Sequence, residues 1–141
     1  MIAIDNKTDI KIDLDILEDI ASSITDRDIE LLLVDDAHIR ELNLHYREKD
    51  RPTDVLSFPL YHQMKNMPLG SIVISLETAE EQAKEHNHSL KNEVAILFIH
   101  GMLHLLGFDH EADEGEMGSK EEELAQRFNL SLSLTKRVDL R

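Results

Sequence analysis

The chain contains no cysteine in its 141 residues. Disulfides and thiolate-bound metal are therefore excluded, and the composition suits a reducing cytoplasm. Positive charge is scarce: 15 Lys and Arg stand against 29 Asp and Glu, a formal net charge of −14. That balance argues against a protein held to nucleic acid by bulk attraction, because phosphate contacts need Lys and Arg. No run approaches the roughly 18 consecutive apolar residues of a membrane span. The opening MIAIDNKTDIKIDLDI alternates apolar with acidic residues, without the basic-then-apolar order of a secretory leader. The sequence also lacks repeats, low-complexity tracts and dividing linkers, so residues 1–141 are expected to form a single domain.

Apolar residues make up 41% of the chain, enough for a core at this length. Residues 2–4 read as a short strand and 12–24 as a helix with a rough apolar stripe. Residues 29–34, IELLLV, form an apolar run broken only by Glu30, typical of a strand buried on both faces. Asp35 and Asp36 offer an N-cap to a helix over 37–46. Residues 55–60 are strand-like until Pro59, which points to an edge or a strand end. A loop over 61–68 leads to a strand over 70–76 and a helix over 77–87. Ser89 caps a helix running to about residue 106, and Gly107 ends it. A charged helix over 113–128 follows, and the tail after 129 is weakly specified. The expectation is an α+β domain: a small mixed sheet flanked by helices, its first two strands parallel through a right-handed crossover.

One segment stands out. HGMLHLLGFDH places His100, His104 and His110 at offsets 0, +4 and +10, with Gly107 at +7. Residues four apart share a helix face, so His100 and His104 project together. Their helix is apolar almost all round and must be largely buried. Unpaired imidazoles there would each cost a few kcal/mol, so they need partners. Glycine reaches left-handed angles without penalty, so the chain can turn back at Gly107 and bring His110 to the same point. Three imidazoles with an open fourth position are the layout of a catalytic zinc site, and one Zn²⁺ ion is the expected cofactor. The remaining histidines, His38, His45, His62, His86 and His88, are read as surface or loop residues.

The pattern is close to the metzincin peptidase motif HExxHxxGxxH. The peptidase needs Glu after the first His as general base. Here that residue is Gly101, so the zinc geometry occurs without the base.

A second block, REKDRPTDVLSFP over 47–59, lies in a locally basic window holding Arg47, Lys49 and Arg51. With both blocks, and with GSIVIS over 70–75, the chain resembles the YbeY family of bacterial endoribonucleases from about Ile29 to Glu123. The resemblance implies a zincin-like mixed sheet with the metal site on a buried helix and the following turn. It implies a metal-dependent endoribonuclease specific for single-stranded RNA, acting in 16S rRNA 3′-end maturation and ribosome quality control. Its expected partners are rRNA and the ribosome or pre-ribosomal small subunit, with no membrane and no DNA. His100, His104 and His110 match the family's zinc ligands, and Arg47 its functional arginine. Family members often carry glycine after that arginine, where this chain has Glu48, and often asparagine where it has Asp54.

The implied chemistry uses water activated by zinc, or the RNA's own 2′-hydroxyl, against the phosphodiester. Arg47 would stabilise the phosphoryl charge, since a guanidinium forks onto two oxygens and stays charged. The alternative for Arg47 is a surface ion pair with Glu48 or Asp50. Lys49 and Arg51 are candidate RNA contacts. Asp109 either orients an imidazole or caps the loop. Ser57 and Phe58 are read as strand packing. Two rival functions share the zinc: a metalloprotease-like hydrolase, and a non-catalytic ribosome-assembly module braced by the metal.

Overall fold

The computed structural model describes residues 1–60, 67–109 and 111–130. The order is β1 (Ile2–Asn6), α1 (Asp15–Ile24), β2 (Ile29–Val34), α2 (Asp36–Arg47), β3 (Val55–Pro59), β4 (Gly70–Ser75), α3 (Leu76–Glu85), α4 (Leu90–Leu105) and α5 (Glu116–Arg127). It is an α+β fold with one four-stranded mixed sheet in the order β1-β2-β4-β3. β1, β2 and β4 are parallel, and β3 runs antiparallel along β4 at the edge.

Strand periodicity sorts the core. Ile29, Leu31, Leu33, Ile72 and Ile74 face the larger cluster with Leu17 and Ile20 of α1, Leu76 of α3, much of α4, and Met117 and Leu124 of α5. Val34, Leu56 and Val73 face the opposite side, where Ile39 of α2 covers them. Apart from the exposed Glu30, β2 therefore packs apolar side chains on both faces, Leu32 only partly buried.

Several boundaries shift for local reasons. The first helix starts at Asp15 rather than residue 12, because Ile10 and Ile12 pack on the core from an irregular segment. The fourth strand ends at Ser75, whose side chain accepts from Thr78 N–H and caps α3. The last helix starts at Glu116 rather than residue 113. Asp113 instead receives Gly115 and Met117 N–H, both at 2.9 Å, and Gly115 takes φ +104°. Pro59 is both the last residue of its strand and on the edge strand. Most of the expected 61–68 loop, with His62, and the tail from residue 131 lie outside the described residues. No helix among the described residues is long and apolar enough to cross a membrane.

Candidate metal centre and cleft

Helix α4 is apolar on every side, and it packs between the sheet and the other helices. His100 and His104 lie in its last turns. Their Nε2 atoms approach to 3.1 Å, and the rings meet edge to face. Each Nδ1 has its own acceptor. His100 Nδ1 donates to Glu121 Oε1 of α5 at 3.1 Å, and His104 Nδ1 to the Phe108 carbonyl at 3.0 Å. These bonds set the tautomer that leaves both Nε2 lone pairs directed at one point.

The donor set suits zinc. Two nitrogens at zinc-bond length on a tetrahedron lie about 3.3–3.4 Å apart, close to what is seen here. Lone pairs this close repel unless a cation or proton lies between them. Among the described residues no group of three His, Asp or Glu side chains is arranged to hold a metal. The third ligand expected from the sequence, His110, lies outside those residues.

The turn after α4 is built as expected. Gly107 has φ +97°; its N–H reaches His104 O at 3.0 Å, while Phe108 N–H reaches Leu103 O at 3.0 Å. This is a Schellman closure. It also folds the Phe108 carbonyl back onto His104, so one glycine stops the helix and supplies the imidazole's acceptor.

Gly101 faces the sheet. A Cβ there would lie 3.0 Å from Ile72 Cγ2 and 3.2 Å from two more Ile72 carbons. A carboxylate at residue 101 would enter the core rather than the cleft. Close packing of Ile72 against Gly101 thus disfavours a peptidase-type base at this residue.

A cleft of about 570 Å³ opens beside the histidines. Arg47, Thr53, Asp54, the β3 edge, His100, His104, Gly107, Phe108, Asp109 and Glu111 line it. Arg47 is exposed at the end of α2 and has no ion pair among the described residues. The expected competitor Asp50 is bound instead to Arg40, Nε to Oδ1 at 2.7 Å. That bond holds the Asp50 carboxyl below the usual range and raises the Arg40 guanidinium. Glu48 is the helix C-cap at φ +58°, which accounts for glycine being the easier residue there.

Lys49 and Arg51 are exposed and outside the cleft lining. Asp54 is engaged locally, Oδ1 receiving Val55 N–H at 2.8 Å and Oδ2 receiving Gln82 Nε2 at 3.2 Å. Asp109 lines the cleft, and its Oδ1 receives Glu111 N–H at 3.1 Å, the loop-capping role.

Sequence reasoning missed Glu121. Its signal was a carboxylate in the buried stripe Met117, Glu121, Leu124, Ala125, where an acidic residue needs a partner. His88, read as a surface or loop residue, does lie in the loop between α3 and α4, but its side chain is turned inward. His88 Nε2 meets Glu93, which is fully buried, and the His88 side chain is only 10% exposed.

Residues 3–129 match the family model described as Endoribonuclease YbeY. Relatives bearing that name include one from Nautilia profundicola, 56% identical and covering 95% of this chain and 96% of the relative. Another, from Sulfurovum, is 49% identical and covers 99% and 98%. The solution structure of TM1509 from Thermotoga maritima is similar, with a TM-score of 0.64 and 33% identity over 91% of this chain and 89% of that one.

Proposed function

The chain belongs to the endoribonuclease YbeY family, and from that premise we propose a zinc-dependent endoribonuclease specific for single-stranded RNA. Its proposed substrate is rRNA in the cytoplasm, at 16S 3′-end maturation and ribosome quality control, on the ribosome or its small-subunit precursor. The observation that carries this reading is the paired Nε2 atoms, each ring held from behind, in one cleft with an arginine that has no ion pair among the described residues. His100, His104 and His110 would hold the zinc in a zincin-like arrangement. When bound, the ion would supply Lewis acidity and bring the pKa of water to about 7.

The chain's own residues do the rest. Glu121 and the Phe108 carbonyl accept the Nδ1 protons, which leaves Nε2 as the ligand atom of each ring and fixes the rings in direction. Arg47 forks onto the phosphoryl oxygens as charge builds there. The local basic residues Lys49 and Arg51 steer the strand toward the cleft despite the overall acidity.

The test is metal content together with cleavage of unstructured RNA, before and after chelation, with casein as the peptide control. Zinc-dependent cleavage of RNA and intact casein are expected. RNA left whole by zinc-loaded protein would overturn the reading. His104→Ala separates catalysis from bracing: a folded, inactive variant is expected, and an unfolded one would favour the assembly-module alternative.

A further inference from the structure

The sheet edge adds a donor to this cleft. In the antiparallel β3–β4 pair the hydrogen-bonded positions are fixed beyond both ends of the strands. Ser75 N–H donates to Asp54 O at 3.0 Å, and Leu60 N–H to Leu69 O at 3.2 Å. With alternating pairs, residues 54, 56, 58 and 60 turn their main-chain groups toward β4. Val55, Ser57 and Pro59 turn theirs outward, and all three line the cleft.

These three positions differ. Val55 N–H is taken by Asp54 Oδ1. Pro59 has no N–H. The Ser57 N–H remains, with no hydrogen-bond partner among the described residues. Asp54 and Pro59 thus blunt the edge against strand addition, which needs successive donors. A single donor still serves a single oxygen. The Ser57 hydroxyl donates to Gly101 O at 3.2 Å, which ties this point of the strand to the residue after His100.

We propose that the Ser57 main-chain N–H donates to a non-bridging oxygen of the scissile phosphodiester, sharing that work with Arg47. This rests on the endoribonuclease reading above. A main-chain donor on a strand tied to α4 is already in place when charge develops, so it costs little reorganisation. The Ser57 side chain is packing, as the sequence suggests; the contribution is from the backbone.

Ser57→Pro removes the donor at an edge position that tolerates proline. Ser57→Ala keeps it and removes only the hydroxyl. Full-length, zinc-loaded proteins are compared on a single-stranded RNA oligonucleotide, and on its two phosphorothioate diastereomers at the cleaved bond. Ser57→Ala, which releases the tie to Gly101 but keeps the N–H, should lose no more than about tenfold in kcat, and Ser57→Pro should lose about a hundredfold with unchanged zinc content and circular dichroism. Wild type should discriminate between the diastereomers, and Ser57→Pro should lose that preference. If Ser57→Pro fails to fold, an amide-to-ester replacement at residue 57 makes the same deletion with less strain. A folded variant without this donor that retains wild-type rate or wild-type diastereomer preference overturns the inference alone. Wild-type protein that leaves RNA intact overturns the endoribonuclease reading, and this inference with it.

Discussion

Glu121 lies 21 residues beyond His100 in the chain, yet its Oε1 accepts a hydrogen bond from His100 Nδ1 at 3.1 Å. Both residues are buried, so the carboxylate that fixes the imidazole is itself shielded from competing water. Acceptors of this kind typically account for a 10- to 100-fold change in metal affinity, roughly. Glu121→Ala should therefore raise the zinc dissociation constant by about that factor, measured by competition with a chromogenic chelator. Glu121→Gln keeps an acceptor oxygen and should lie between the two.

Arg47 should matter to turnover and not to folding. Because it has no ion pair among the described residues, Arg47→Glu should change stability by no more than about 0.5 kcal/mol in denaturant unfolding. The same variant should lose RNA cleavage while retaining zinc. Arg47→Lys should rescue little, since a point charge cannot fork onto two oxygens.

Gly101→Glu tests whether the peptidase base can be restored. The contact with Ile72 directs the added side chain into the sheet. A buried carboxylate without a partner is strongly unfavourable, so the variant should be destabilised by several kcal/mol, on the order of 3 or more. It should show no casein cleavage. A stable variant with peptidase activity would contradict the packing described for α4.

Glu48→Gly should stabilise the protein. Glu48 sits at φ +58°, where a side chain is strained. Relief of that strain exceeds the added entropy of glycine in the unfolded chain, for a net gain of about 0.5–1 kcal/mol in chemical denaturation.

Asp50 should titrate below the ordinary carboxylate range because Arg40 hydrogen-bonds and attracts its charged form. With the folded pKa depressed, this contact stabilises the fold above the unfolded-state pKa. The contribution is lost as pH falls through the lower folded value. An NMR titration should show the low midpoint, and Arg40→Ala should return it to normal. The residues after α2 should loosen with it at acid pH.

The paired histidines, the Gly107 turn and the strand ended by Pro59 were legible in the sequence, because each depends on spacing or backbone chemistry within a few residues. The four strands and the parallel pairing of the first two also followed in outline from apolar periodicity, though the side taken by each helix, the irregular stretch before Asp15 and the late start of α5 did not. Those boundaries depend on capping by Asp113 and on core contacts made by Ile10 and Ile12 outside a helix. Glu121, the Asp50–Arg40 pair, the burial of His88 and the outward phase of Ser57 were set by contacts between distant segments. Sequence periodicity specifies which face of an element is apolar. It does not specify which polar group arrives opposite that face, because that is decided when helices and strands pack and every buried donor must find an acceptor.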